Sequence, residues 1–332
     1  MTNPLNAPAV DVYLCSFDAN DIVRVSAGIR AVTTVARGVA GSGLAVDRAG
    51  NLYRGHWATD PGVLKLPADG GAPTLLASGF HAMSVAADWA GNVYATGSDS
   101  AAGNQTLKLP ATGGAPEVIA AGKDLGWAVA ADGMSTVYVL HHHPVMVTRI
   151  PAGGPISVID LSGTFRAEFV AAFTVDPQGQ NLFLSDWSGP SDTVLKVPLN
   201  GGPRTRLGAG LAGVQGVAVD VDGNVYIADT FHERVVMVTA GQQITVCEVA
   251  TPLPLAIPPT HLHSWRGPDL VGRLFGAAAV DGGGWLVVGD HFIPIPPRSP
   301  VLSEMLRAAA SHLGSAMENP ELGHQLRELR SR

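Results

Sequence analysis

The sequence is short of cysteine, of charge and of long apolar runs. Its 332 residues hold two cysteines, Cys15 and Cys247. Two do not make a disulfide framework. The repeat described below puts them on a second and an outermost strand, so reduced, buried thiols and a cytoplasmic location are expected. Only 15% of residues are charged, and the net charge is −7. A nucleic-acid surface needs a basic stripe, so no nucleic-acid partner is expected. No apolar run reaches about 18 residues, so no membrane-spanning helix is expected. Met1-Thr-Asn-Pro-Leu-Asn6 lacks a charged start followed by an apolar core, so no signal peptide is expected either. Also missing are a Gly-x-Ser-x-Gly elbow, a phosphate loop and a His-Glu-x-x-His helix.

What the sequence has in quantity is small apolar residues, 40 glycines and 24 prolines, with 46% hydrophobic residues overall. They fall into a repeat. In Gly216-Val-Ala-Val-Asp-Val-Asp-Gly-Asn-Val-Tyr-Ile-Ala-Asp229, a β-branched apolar run meets an Asp/Gly turn and then a second apolar run. That is strand, tight turn, strand. Tyr13, Tyr53, Tyr94, Tyr138, Phe183 and Val287 align with Tyr226 at steps of roughly 40–45 residues, the last step longer. A turn aspartate precedes most of them: Asp47, Asp88, Asp132, Asp176, Asp220 and Asp281. A third strand follows, as in the near copies Lys65-Leu-Pro-Ala-Asp-Gly-Gly-Ala-Pro73 and Lys108-Leu-Pro-Ala-Thr-Gly-Gly-Ala-Pro116. A fourth, such as Ile244-Thr-Val-Cys247, ends the unit. Four short antiparallel strands per unit is the pattern of a propeller blade.

The expected fold is therefore all-β, a six-bladed β-propeller over 10–298, with a tail at 1–9 and a C-terminal helical extension at 299–332. Five units are complete. Val10 to Arg37 aligns with strands two to four of a blade and lacks an innermost strand. The Pro-rich stretch 250–270 reads as an interruption. Phe275-Gly-Ala-Ala-Ala-Val-Asp281 reads as the innermost strand that closes the ring, which leaves Trp285 to Val288 as a surplus strand. A seven-bladed ring is the alternative. In the extension, Ser299-Pro300 and Asn319-Pro320 read as helix starts. These amphipathic helices either pack on their own domain or mediate a dimer.

The repeat resembles the NHL-repeat propellers and the wider group of gluconolactonases (SMP-30-like proteins) and strictosidine synthase-like proteins. The likeness runs from about Val10 to Phe292 and is sharpest at Asn224-Val-Tyr-Ile-Ala-Asp-Thr-Phe-His-Glu-Arg-Val235. It departs at His232-Glu233, where those repeats usually carry Asn-His. A shared fold does not carry a shared function.

In this architecture ligands sit at the mouth of the central channel. Two sets of loops rim it: those leading into each first strand, and those between second and third strands. The resemblance to lactonases implies a metal held by Glu, Asn and Asp just ahead of several first strands. Here those positions are Ser42, Met83, Trp127, Ala171, Gln215 and Gly276, without a carboxylate. A hard cation needs several converging oxygens, so no metal and no other cofactor are expected. Amidating lyases of related fold imply histidines there, and only His81 fits. Strictosidine synthase-like condensation implies a channel carboxylate, for which Glu168 is the candidate.

The second ring carries His56, His141, Asp186, Asp229 and Asp290, followed by Trp57, His142, Trp187, Thr230 and His291. The aspartates suit turn caps or pairs with a basic neighbour. Imidazoles suit proton transfer near neutral pH. Trp57, Trp127 and Trp187 suit the walls of a ring-shaped ligand. The catalytic candidates are thus His56, His81, His141 and Glu168. The ligand-binding candidates are Trp57, Trp127, His142, Asp186, Trp187, Asp229, Phe231, His232 and His291. Two functions follow. One is an enzyme acting on a small organic molecule at the mouth by metal-independent acid–base chemistry, of lyase, cyclase, isomerase or hydrolase type. The alternative is a non-catalytic NHL-type module that binds a peptide, protein or metabolite. A metal-dependent lactonase comes third.

Overall fold

A computed structural model of the chain describes residues 10–16, 19–28, 30–56, 61–99, 103–122, 126, 128–142, 144–161, 170, 172–186, 192–239, 242–249, 252–256, 284–288 and 291–295. Contacts group the chain into two units, 1–263 and 264–332.

In the first unit the strands follow in chain order. They are β1 (Val12–Ser16), β2 (Asp21–Val25), β3 (Val32–Arg37), β4 (Gly43–Val46), β5 (Leu52–His56), β6 (Gly62–Leu66) and β7 (Thr74–Leu75). Next come β8 (Phe80–Ala87), β9 (Val93–Asp99), β10 (Gly103–Leu109), β11 (Glu117–Ala121), β12 (Ala128–Ala131), β13 (Val137–His142), β14 (Val145–Ile150) and β15 (Ser157–Asp160). The rest are β16 (Phe173–Val175), β17 (Asn181–Asp186), β18 (Asp192–Pro198), β19 (Thr205–Leu211), β20 (Val214–Val219), β21 (Val225–Asp229), β22 (Arg234–Thr239), β23 (Gln242–Glu248) and β24 (Pro252–Ala256).

These form six four-stranded antiparallel sheets. The innermost strands β4, β8, β12, β16, β20 and β24 lie side by side, and β24 returns to β4. The ring is closed: a six-bladed β-propeller. Alternation along each strand sends successive side chains to opposite faces of the blade. Tyr226 and Ala228 thus pack toward blade 1, while Val225 and Ile227 pack toward blade 5. Six buried clusters result, one at each junction between neighbouring blades.

The closing strand differs from the expected one. It is β24, drawn from the Pro-rich stretch, and it pairs with β1 to complete the first blade. Prolines are tolerated there for two reasons. An innermost strand has a neighbour on one side only, so half of its N–H groups need no ladder partner. The register also slips between Leu14 and Cys15, whose partners are Leu255 and Leu253, and Pro254 falls in that bulge. Residues 275–281, the expected closing strand, lie outside the described residues, as do 1–9 and the expected helices of 299–332. In the second unit, β25 (Gly284–Val288) and β26 (His291–Ile295) form an antiparallel hairpin, so the surplus strand finds its partner next in sequence.

The turn aspartates explain the repeat. They sit at the end opposite the mouth, and each carboxylate is a buried hub. Asp88 accepts the Asn92 backbone N–H at 2.9 Å, the Asn92 amide at 2.8 Å and the Tyr94 hydroxyl at 2.9 Å. Asp47 repeats this with Asn51 and Tyr53, and Asp220 with Asn224 and Tyr226. The hub thus ties the first-to-second turn to a residue deep in the second strand. The turn glycine, Gly91 for example at φ 82°, lets the chain reverse beneath it. Blade 4 puts Thr136 in place of the asparagine, and blade 5 puts Phe183 in place of the tyrosine. Burial, and next the nearby Asp132 charge, push the Tyr138 phenol up to about 12. Tyr53 and Tyr94 are raised as well, chiefly by burial. Burial also raises Asp132 and Asp220 above the ordinary aspartate value, against the donors that serve them.

Candidate functional site

Antiparallel order places the lead-in loops and the second-to-third loops at one end of the ring, opposite the aspartate hubs. Three local arrangements are described at this mouth.

The first is the junction of blades 2 and 3. His56 ends β5, and His81 is the second residue of β8, paired with Ser98. Gly55 packs so closely on Ala82 that an added Cβ would lie 3.3 Å from Ala82 Cβ and O. The residues next to the two histidines therefore touch. Ser42 fastens the same junction: its hydroxyl bonds Ala82 O at 3.0 Å, and its N–H bonds Gly55 O at 3.1 Å. Both histidines are half-buried. Gly55 and Ala82 face each other, so alternation turns the His56 and His81 side chains to the faces away from that contact.

The second is blade 4. His141 is 6% exposed, and its Nε2 lies 2.9 Å from Thr148 Oγ1 on β14. It sits within the sheet rather than over open space. His142 is on the same strand.

The third is the junction of blades 5 and 6. Asp229 ends β21 and is fully buried. One carboxylate oxygen accepts the Ala212 N–H at 2.7 Å, and the other accepts Arg234 Nε at 2.7 Å. His232 Nδ1 lies 3.0 Å from both oxygens. A single 3-10 turn, Thr230–His232, follows Asp229 and closes with Glu233 in the left-handed region at φ 50°. Phe231 N–H bonds Ala212 O, and its ring covers Gly213, where a Cβ would fall 2.8 Å from ring carbon Cγ. Asp192 accepts the Gly213 N–H from blade 5. Phe231 is nonetheless 69% exposed. The result is an aromatic ring fixed beside the lead-in to β20 and open to solvent.

Of the expected site residues, the structure thus pairs Asp229 with His232 beside Phe231, and places His56 and His81 at the same end of adjacent blades without bringing their side chains together. His141 is set apart in its own sheet. Asp186 and His291 lie on strands β17 and β26. Glu168, Trp57, Trp127 and Trp187 lie outside the described residues. Sequence reasoning did not single out Ser42, Arg234 or Asp192 as site residues. Arg234 was visible as a basic residue one turn beyond Asp229. Asp192 carried no signal, because its role depends on the next blade. Among the described residues no three His, Cys, Asp or Glu side chains converge as a metal site requires. No helix among them is long and apolar enough to cross a membrane.

No known family profile matches the chain, and no curated protein matches it either. Solved structures do. A chain of the nidogen/laminin complex aligns with TM-score 0.59 at 14% identity, over 75% of this chain and 98% of that one. The calcium-binding protein regucalcin from Agrobacterium tumefaciens aligns with TM-score 0.51 at 14% identity, over 68% and 79%. A catalytically inactive virginiamycin B lyase from Staphylococcus aureus, solved with quinupristin, aligns with TM-score 0.52 at 12% identity, over 78% and 94%. Some of these neighbours are enzymes and others are binding proteins. At such identities the likeness establishes the β-propeller fold, and function has to be argued from the site.

Proposed function

We propose that the protein takes a small organic molecule at the mouth of the propeller and acts on it by acid–base chemistry without a resident metal. The reaction is of lyase, cyclase, isomerase or hydrolase type. The observation that supports this is the junction of blades 2 and 3, where His56 and His81 sit beside touching residues under the Ser42 clasp. An imidazole at the rim of a ligand mouth can act as proton acceptor or donor at neutral pH, and blades 2 and 3 each bring one to it. The lead-in positions carry no carboxylate set for a cation, which favours this chemistry over a lactonase-type metal mechanism.

A water-soluble metabolite extract, incubated with the protein and followed by mass spectrometry, tests the reading. The wild type should deplete a component and yield a new mass, and H56A/H81A should slow that conversion at least tenfold. A component captured but returned unchanged would leave only the second reading. That reading is a non-catalytic NHL-type binding module, and Phe231 favours it: a rigid, exposed aromatic is a contact surface before it is anything else. The pairing of Asp229 with Arg234, in the segment most like an NHL repeat, supports the same family assignment.

A further inference from the structure

The blade 5–6 rim holds an imidazole whose tautomer its hydrogen-bond partners fix. Asp229 is fully buried and already accepts hydrogen bonds from Arg234 Nε and the Ala212 N–H. A carboxylate with two such donors is an acceptor at every remaining position. His232 Nδ1, 3.0 Å from both oxygens, must therefore carry its proton. In neutral imidazole only one nitrogen is protonated. Nε2 is thus left with its lone pair, and it has no partner among the described residues. The His232 side chain is 46% exposed. The free nitrogen comes next in the chain to the fixed, open ring of Phe231. A turn that only needed to reverse the chain would not require an oriented imidazole beside an uncovered aromatic.

We propose that His232 is a proton-transferring residue of the mouth, oriented by Asp229, for a flat, ring-bearing ligand that stacks on Phe231. This rests on the small-molecule reading above and assigns it a base and a substrate class. In the step, Nε2 takes one proton from an acidic O–H or C–H of the ligand. The bonding pair stays on the ligand. The new imidazolium lies against the Asp229 carboxylate, which keeps its bonds to Arg234 and Ala212. The proton then returns to another atom of the same ligand or passes to water, so His232 ends as it began. Asp229 is a positioning residue and does not itself take the proton. Phe231 supplies a stacking face and contributes to binding rather than to chemistry.

Two measurements test this. In ¹⁵N-histidine spectra near pH 8, His232 should show protonated Nδ1 and bare Nε2, with the signal assigned by its loss in H232N. The opposite tautomer would overturn the proposal whatever the activity. The metabolite extract supplies the second. H232N should lower turnover about 100-fold, within the range for one acid–base group, with the captured component still bound. F231A should weaken capture about tenfold with less effect on the chemical step. Turnover by H232N at the wild-type rate, with loss in H56A/H81A, would remove His232 from the chemistry and leave the mouth reading standing. No conversion by the wild type would end both.

Discussion

Replacing Asp88 by alanine tests the physical account of the fold at its most repeated point. The Asp88 residue is 0% exposed, and its carboxylate accepts three hydrogen bonds of 2.8–2.9 Å. Alanine leaves the Asn92 N–H, the Asn92 amide and the Tyr94 hydroxyl without their acceptor. Each donor left unsatisfied in a buried place costs about 1–3 kcal/mol. Water entering the small gap, and release from holding a buried charge, offset part of that. The expected net loss is about 3–5 kcal/mol. Y94F removes one donor and leaves the carboxylate two, whereas Asp176 of blade 5, which faces Phe183, keeps three by adding the Gln180 N–H, so about 1–1.5 kcal/mol is expected. Once Asp88 is gone, the Tyr94 hydroxyl has lost its acceptor. The double variant should then cost less than the sum of the singles, with a coupling of about 1–2 kcal/mol. Asp69, on an exposed third-to-fourth turn, caps only Gly71 N–H, and D69A should cost under about 1 kcal/mol. Guanidinium unfolding followed by tryptophan fluorescence reads all four. A D88A loss no larger than that of D69A, or strict additivity of D88A with Y94F, would refute the hub.

Stability should fall at alkaline pH. Burial holds Cys15 and Cys247 up at about 11 from 9.0, and Tyr138 at about 12 from 10.0. The folded state keeps these protons longer than the unfolded chain, so the contribution is whole below pH 9 and is lost as pH climbs toward 12; a flat unfolding midpoint from pH 8 to 11 would contradict it. R234A should destabilise by about 2–3 kcal/mol, because it strips one of two basic partners from a buried carboxylate, and R234K should restore little of the paired geometry; thermal unfolding measures both. E233N should stabilise by about 0.5–1 kcal/mol, since asparagine accepts the left-handed backbone at φ 50° more readily than glutamate does; an unchanged or lower melting temperature would show that the strain is absent. T148V should cost about 1 kcal/mol by removing the partner of His141 Nε2, read by denaturation, while ligand capture stays as in the wild type.

Some of the fold was legible in the residues alone because its causes are local. The turn aspartate and the tyrosine six residues on meet within one hairpin, so their spacing records the hub directly. The unbroken apolar run Val225–Ala228 records that both faces of a blade are covered. The bond from His232 to Asp229 spans one turn of chain, and both residues stood out before their contact was known.

What sequence patterns did not reveal depends on partners distant in the chain. Pro252 and Pro254 argue against a strand wherever a strand has two neighbours. Only the closed ring shows that β24 has one neighbour and a bulge to hold Pro254. His56 and His81 reach the same end of adjacent blades because blades 2 and 3 pack face to face at Gly55 and Ala82. His141 and His56 occupy equivalent repeat positions, yet Thr148 on the adjoining strand draws one into its sheet, while the other ends its strand at the blade 2–3 junction. Residue pattern by itself determined the blade, because a blade is made of short-range turns and alternating side chains. Tertiary structure decided the strand that closes the ring and the polar groups that meet at its mouth, because those follow from how six blades share their faces.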